Sequence, residues 1–217
     1  MTLLRIDASI RTTGSASREI ADVVEQEWLA ARPDARVVRR HLGTEPLPAT
    51  AWAAAVSSSW TPEADRTPEQ LAGQALSAAL VDELQAADAV LVAVPLYNFG
   101  VSQHLKTWID LVVADPRAGA GADPVLAGKR VVLATVRGGS YAAGTPREGW
   151  DHATAYLRRI FADAWGAELT VVEREFTLVG VNPALDEFAE QAAEMQAAAV
   201  SAAREAGRAL HVLPAAA

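Results

Sequence analysis

The chain has 217 residues, of which 51% are hydrophobic, and its 27 acidic against 19 basic residues give a formal net charge of -8. This length is enough for one domain with a sizeable core, and we expect residues 1–217 to form a single domain. The absence of cysteine excludes disulfides, thiolate metal sites and cysteine nucleophiles, so redox chemistry would need a bound cofactor. An acidic chain without a basic stripe predicts no nucleic-acid partner.

The first half of the chain alternates between strand-like and helix-like patterns. An apolar run at residues 2–7 predicts a strand, and apolar positions at three- and four-residue steps over residues 16–31 predict an amphipathic helix. Residues 35–42 predict an edge strand, whereas residues 49–66 show no clear period and are predicted to be mostly loop with a short helix. The Thr-Pro pair that opens residues 67–86 predicts a capped helix.

The second half continues the alternation with longer apolar runs. Its predicted strands are residues 89–94, 130–135 and 169–179, and its predicted helices are residues 105–112, 153–165 and 182–210. Five strands that alternate with helices indicate right-handed βαβ crossovers, and therefore an α/β fold with a parallel sheet covered on both faces.

The first of three notable loops follows the first strand, at the edge of the sheet where open α/β folds bind ligands. It carries Ser9, Ser15 and Ser17 near a helix start, where free amides and hydroxyls favour a phosphate. Helix capping alone also explains these serines. Neither GxxxxGK[ST] nor GxGxxG is present, which disfavours a P-loop hydrolase and a Rossmann dinucleotide site.

The second and third loops add aromatic and glycine residues at the same edge. Tyr97 and Phe99 flank Asn98 directly after a buried strand, an arrangement that suits a planar heterocycle and also fits a packed turn. The Gly-Gly pair at residues 138–139 lets the backbone approach a ligand closely, although such pairs also occur in ordinary turns. The convergence of all three loops favours ligand binding.

Together these segments resemble the FMN-dependent NADH azoreductases, a branch of the flavodoxin-like quinone reductases. The resemblance rests on the serine loop, on Pro-Leu-Tyr-Asn-Phe at residues 95–99 with the His-Leu-Lys-Thr-Trp-Ile-Asp segment at residues 104–110, and on Arg-Gly-Gly at residues 137–139. It implies a flavodoxin-like fold with a five-stranded parallel sheet in the order 2-1-3-4-5. It also implies a homodimer with FMN near the subunit interface.

The resemblance assigns a role to each loop. The positions that match FMN-binding residues of the family are Ser9, Ser15, Ala16, Ser17, Pro95, Leu96, Tyr97, Asn98, Phe99, Val136, Arg137, Gly138 and Gly139. The serine loop would hold the FMN phosphate, the second loop would line the isoalloxazine, and the third would close around the ring. The implied reaction is ping-pong: NADH or NADPH reduces the flavin, which then reduces a quinone or azo acceptor. No acid-base side chain and no metal site is implied.

Two features depart from the family pattern. Val136 stands where the family has a serine, which removes one hydroxyl near the ring. The loop at residues 115–127 is shorter than in the family and lacks its aromatic segment. We therefore expect an altered acceptor pocket in which Trp52, Trp60 or Tyr141 supplies part of the apolar wall, with ordinary packing as the alternative for the two tryptophans.

Two other functions stay open at this point. One is a specialised biosynthetic flavoenzyme that acts on an aromatic or quinonoid intermediate, and the other is a flavodoxin-like electron carrier or a flavin-free binding protein. The histidines show no metal-ligand spacing and are predicted to be structural: His41, His104, His152 and His211.

The location of the protein is predicted from its apolar segments. Charge appears by Arg5, too early for a signal peptide, and no stretch approaches the roughly 20 uncharged apolar residues of a membrane span. We expect a soluble cytoplasmic protein with no membrane partner.

Overall fold

The computed structural model describes residues 1–210, and its centre is a five-stranded parallel sheet in the order β2-β1-β3-β4-β5. The strands are β1 (Thr2–Asp7), β2 (Arg36–His41), β3 (Ala89–Pro95), β4 (Arg130–Val136) and β5 (Glu168–Arg174). This order confirms the predicted flavodoxin-like α/β fold. Because the winding reverses between β1 and β3, the carboxyl ends of these two strands form the switch point at which such sheets bind ligands.

Within residues 1–210, six α-helices cover the two faces of the sheet. They are α1 (Ala16–Ala31), α2 (Ala51–Ser58), α3 (Pro68–Ala86), α4 (Gln103–Ala114), α5 (Thr154–Arg158) and α6 (Ala189–Ala209). α1 and α6 pack on one face through residues such as Trp28 and Ala203. The other face is covered by helices that include α3 and α4, and it contains the ring cluster of Trp108, Phe161 and Trp165. The sheet is therefore rigidly held from both sides, with β3 fully buried.

The segment at residues 49–66 is more helical than predicted. It contains α2 and a short 3-10 helix at Glu63–Asp65. Ala51 and Ala55 are buried, and a Cβ at Gly73 of α3 would lie only 2.7 Å from the Ala55 nitrogen. A contact between such small residues stabilises α2 without producing the apolar period by which helices are recognised in a sequence.

The predicted strand at residues 169–179 is wrong in its second half, because β5 ends at Arg174. Phe176 has a positive φ of 55°, a conformation that a strand does not accommodate. The amides of Thr177 and Leu178 donate hydrogen bonds to the carbonyls of Arg137 and Gly138, both at 3.1 Å. The chain after β5 thus turns back over the loop that follows β4.

The last two predicted helices are present with altered starts or ends. α5 passes into a π-helical turn at Arg159–Ala164. The helix predicted from residue 182 begins as a 3-10 helix at Pro183–Phe188, with the Asn182 side chain accepting a hydrogen bond from the Ala184 amide at 3.2 Å. Asn182 therefore caps the short helix that precedes α6.

A buried ion cluster lies at the end of β1, just before the serine loop. Arg5 is buried and its guanidinium contacts Asp7 at 3.1 Å and Glu25 at 3.0 Å. Burial alone would lower the pKa of Arg5, but the Coulombic attraction of Asp7 and hydrogen bonds to Asp22 and Glu25 raise it. Nδ1 of His41 lies 3.2 Å from Asp7. This cluster joins β1, β2 and α1 beneath the switch point.

His41, His104 and His152 lie on separate elements of the fold. His104 lies in α4 and His152 just before α5, and His211 is outside the described residues. Within residues 1–210, no group of three or more histidine or acidic side chains is arranged to hold a metal ion. No helix in that same range has the length and apolar character required to cross a membrane.

Candidate functional site

A cavity of about 310 Å³ lies at the switch point between β1 and β3. Nine of the thirteen predicted site residues line it, together with residues of the segment after β5. The nine are Ser9, Ser15, Ala16, Ser17, Pro95, Leu96, Tyr97, Val136 and Gly138. The other four, Asn98, Phe99, Arg137 and Gly139, do not line this cavity. The fold thus brings the three predicted loops together around one space.

The serine loop forms one end of the cavity at the start of α1. Ser15 is the N-cap residue, and its Oγ accepts a hydrogen bond from the Arg18 amide at 3.4 Å. The Ser17 hydroxyl lies 3.2 Å from Ser15 Oγ, and both serines are buried. Capping therefore accounts for one serine, while the remaining first-turn amides, which have no intrahelical acceptor, are available to an anion.

Tyr97 connects the serine loop to the loop after β3. Its hydroxyl oxygen lies 3.3 Å from Ser9 Oγ and accepts a hydrogen bond from the Ile10 amide at 3.3 Å. The Leu96 amide donates to the Val136 carbonyl at 2.9 Å, which ties the same segment to the end of β4. These bonds fix the relative positions of all three loops.

Gly43 supports the serine loop from below and was not found by sequence reasoning. A Cβ at this position would lie 2.1 Å from the Ser9 carbonyl oxygen and 2.8 Å from the Ile10 nitrogen. Only glycine therefore permits the loop after β2 to pass so close to the Ser9 backbone. No sequence motif marks this position, because the contact joins two loops that are distant along the chain.

Asn98 and Phe99 form a strained turn beside the cavity. Both have positive φ angles, 48° and 66°, and the turn is closed by a bridge between Tyr97 and Gly100. Such angles are uncommon for residues other than glycine. The turn directs Phe99 outward, where its ring and that of Trp150 form a T-shaped pair with their centroids 5.3 Å apart.

The exposed aromatic group consists of the exposed Phe99 and Trp150 together with the partly buried Tyr141. The Phe99 and Tyr141 centroids are 6.5 Å apart, and Phe99 and Trp150 are 39% and 49% exposed. The His152 amide donates to the Phe99 carbonyl at 2.9 Å, which holds the two segments together. Trp150 was not predicted, since nothing in its sequence neighbourhood shows that it returns to Phe99.

The Arg137 side chain is held by acidic and hydroxyl groups that lie outside the first cavity. Its buried guanidinium bonds to Asp151 Oδ2 at 2.8 Å, Glu173 Oε1 at 3.0 Å and Thr154 Oγ1 at 3.1 Å. Burial would lower its pKa, but hydrogen bonds to Glu173 and Asp151 raise it. The side chain lines a second cavity of about 420 Å³, shared with Tyr141. Arg137 therefore braces the loop at residues 140–152, and a contact with a ligand in the first cavity stays a prediction.

The segment after β5 contributes residues that sequence reasoning missed. Thr177, Leu178 and Val181 line the first cavity. Because the predicted strand was extended through residue 179, these side chains had no expected place near the site. Three charged residues also line the cavity, namely Arg11, Glu19 and Arg174. The first two adjoin the serine cluster, so their proximity was available from the sequence.

The loop at residues 115–127 packs away from the cavity, against α3. Arg117 bonds to Asp115 at 2.9 Å and to Asp82 of α3 at 2.6 Å. The hydrogen bond from Arg117 lowers the pKa of Asp115. Trp52 and Trp60 are 47% and 80% exposed. Neither they nor Tyr141 line the first cavity, so the expected apolar wall is not built from these residues within that cavity.

Known proteins match this chain along nearly its whole length. Residues 1–203 match the sequence model of a family described as having a flavodoxin-like fold. An FMN-dependent NADH:quinone oxidoreductase of Frankia alni is 39% identical over 204 residues, covering 93% of this chain and 96% of the relative. The enzyme of the same name from a Parafrankia species is 40% identical over 209 residues, covering 94% and 97%.

Solved structures show the same fold at lower sequence identity. The azoreductase from Bacillus anthracis str. Sterne superposes with a TM-score of 0.76 at 22% identity, covering 96% of this chain and 99% of that one. An FMN-dependent NADH-azoreductase from Bacillus anthracis str. Ames Ancestor, in complex with FMN, gives a TM-score of 0.77 at 16% identity, covering 98% and 100%.

Proposed function

The chain belongs to the flavodoxin-like family that contains the FMN-dependent NADH:quinone oxidoreductases, and we propose that it is itself an FMN-dependent NADH:quinone oxidoreductase. The observation that carries the proposal is the cavity at the switch point, where Ser9, Ser15 and Tyr97 meet. Close relatives with this name cover more than nine-tenths of the chain.

The residues present fit FMN at both ends of the cavity. The buried Ser15 and Ser17 hydroxyls and the first-turn amides of α1 suit a phosphate group. Leu96, Val136 and Leu178 provide apolar contacts, and Tyr97 an aromatic one, for a flat ring system. The hydroxyl that the family places at position 136 is absent. Because backbone amides remain in this loop, binding of the ring does not depend on it.

When bound, FMN would supply two-electron redox chemistry between NADH or NADPH and a quinone or azo acceptor, for which we propose a ping-pong sequence. The serine loop would bind the phosphate of this group, the loop after β3 would orient its ring, and Leu178 of the segment after β5 would shield it. No side chain in the cavity needs to act as an acid or a base.

We place the acceptor against the exposed aromatic group of Phe99, Tyr141 and Trp150. Contact between an aromatic ring and water is unfavourable. A flat quinonoid acceptor would replace that contact by stacking on the rings or packing against their edges. The loop at residues 115–127 contains no aromatic residue and packs on α3, so it does not supply this surface. The acceptor would lie next to Tyr97, two residues before Phe99.

We also propose the homodimer that the resemblance implies and the cytoplasmic location that is expected from the sequence. A single chain already forms the first cavity, so a partner subunit would act on the acceptor side. Sedimentation velocity of the purified chain checks the dimer, for which one species of twice the chain mass is expected.

Steady-state kinetics tests the proposed function. FMN-loaded protein is assayed for NADH and NADPH oxidation with menadione, a benzoquinone and an azo dye. Parallel lines in double-reciprocal plots are expected for a ping-pong reaction with at least one acceptor. An electron carrier would bind FMN yet oxidise neither nicotinamide, and that result would remove the proposal.

A further inference from the structure

Arg174, the last residue of β5, places its guanidinium over the start of α1. Its Nη1 lies 3.2 Å from Oε2 of Glu19, in the first turn of α1, and its Nη2 donates to the Gln196 side chain of α6 at 3.3 Å. The side chain is only 13% exposed, and it lines the first cavity. An arginine is thus held at the end of the cavity where the serine loop lies.

Positive charge exceeds negative charge around Arg174. The start of α1 carries the positive end of the helix dipole, and Arg11 lines the same cavity. Glu19 is the one acidic residue among the cavity-lining residues that the structure describes. In addition, Arg174 Nε is buried and makes no hydrogen bond with any described residue. A buried donor without an acceptor is costly, so this arrangement suits an additional anion.

We propose that Arg174 binds the phosphate group of FMN and that Glu19 competes with this phosphate for the guanidinium. The inference rests on the proposed function. Arg174 Nη1, which faces the Glu19 carboxylate at 3.2 Å, can instead donate a charge-assisted hydrogen bond to a phosphate oxygen. In the protein without flavin, Glu19 keeps the guanidinium beside α1. Arg174 thereby sets the preference for FMN over riboflavin, which has the same ring system and no phosphate.

Flavin titrations test this assignment without relying on enzyme activity. Flavin-free protein is titrated with FMN and with riboflavin, and binding is followed by quenching of flavin fluorescence. For Arg174→Gln, loss of a charge-assisted contact should weaken FMN binding by at least about tenfold. Riboflavin affinity should stay within about twofold of wild type, because the contact involves only the phosphate.

Two further variants supply the control and an effect of opposite sign. Arg208 also bonds to a glutamate of α1, Glu27 at 3.0 Å, but it does not line the cavity, so Arg208→Gln should leave both affinities unchanged. Glu19→Gln removes the competing carboxylate and should tighten FMN binding without changing riboflavin binding. If Arg174→Gln proves unfolded by circular dichroism, the FMN and riboflavin affinities of Glu19→Gln and Arg174→Lys still test the role of Arg174.

The outcomes separate this inference from the proposed function. Equal FMN affinity in wild type and Arg174→Gln overturns the inference while leaving the oxidoreductase intact. Equal losses for FMN and riboflavin show a purely structural role, and a raised KM for NADH with unchanged FMN affinity assigns Arg174 to the nicotinamide nucleotide instead; both overturn it. A wild-type protein that binds no FMN overturns the proposed function and the inference together.

Discussion

Leu178 occupies the space beside Gly138 that a side chain at that position would need. A Cβ on Gly138 would lie 2.6 Å from Leu178 Cδ1 and 3.0 Å from its Cγ. The Leu178 amide also donates to the Gly138 carbonyl at 3.1 Å, and both residues line the first cavity. The glycine therefore allows the segment after β5 to close over the loop after β4, in addition to any contact with a ligand.

Gly138→Ala should destabilise the protein by about 1–2 kcal/mol, because the new methyl group overpacks a filled space. Leu178 is the flexible partner, so the same substitution in a Leu178→Ala background should cost less than half as much. Urea unfolding of the four proteins of this double-mutant cycle measures the coupling. Additive effects of the two substitutions would show that the residues do not share this space.

Tyr97→Phe should weaken FMN binding by about 2- to 10-fold, the effect of losing one neutral hydrogen-bonding group. The lost hydroxyl holds Ser9 and the Ile10 amide in place, so the serine loop would be less well ordered for the phosphate. Tyr156→Phe is the matched control, since Tyr156 does not line the cavity. Fluorescence titration with FMN provides the affinities, and equal values for the two variants would argue against the role of Tyr97.

Trp150→Ala should raise the KM for a quinone acceptor by about 2- to 10-fold through loss of one aromatic contact. Reduction of the bound flavin by NADH should keep its rate, since Trp150 does not line the first cavity. Stopped-flow measurement of the two half-reactions separates these effects. Trp60→Ala removes an equally large ring that is 80% exposed. It should change neither the KM for the acceptor nor the rate of flavin reduction. Unchanged acceptor kinetics in Trp150→Ala would place the acceptor elsewhere.

Asp151 should make stability depend on pH in the acid range. Burial would raise its pKa, but hydrogen bonds from the Thr154 amide and hydroxyl and from Arg137 lower it. The folded pKa therefore lies below the unfolded value of about 4, so the carboxylate stabilises the fold above pH 4, and this contribution disappears as the pH falls through the folded pKa.

Asp151→Asn should accordingly be less stable than wild type by about 1–3 kcal/mol at pH 7. The difference should be smaller at pH 3 than at pH 7, because the contribution of the ionised Asp151 decreases as the pH falls below about 4. Urea unfolding at both pH values measures the two differences. A difference that is equal at pH 7 and pH 3 would contradict the assigned ionisation.

Much of the fold could be predicted because its signals are local. The buried runs of β3 and β4 and the capping box of Thr67 with Gln70 depend on residues close in sequence. The end of β5 could not be predicted, since Phe176 adopts its positive φ in a turn held by backbone bonds to Arg137 and Gly138. These partners lie about 40 residues earlier.

The site was predictable to a similar degree. Serine, tyrosine and glycine positions at strand ends carry recognisable patterns, and most of them meet at the cavity. Gly43, Leu178 and Arg174 carry no such pattern, because their roles arise from contacts between distant segments. For the same reason, the Arg137 side chain could be placed near the third loop but its three acidic neighbours could not be foreseen.

The visible absorbance of the FMN-loaded full chain under anaerobic conditions shows directly whether the chain acts as an NAD(P)H:quinone oxidoreductase. We predict that the oxidised flavin band disappears on addition of stoichiometric NADH or NADPH and returns on addition of a quinone. A protein that retains no FMN, or whose bound FMN stays oxidised with both nicotinamides, would contradict the assignment as an NAD(P)H:quinone oxidoreductase.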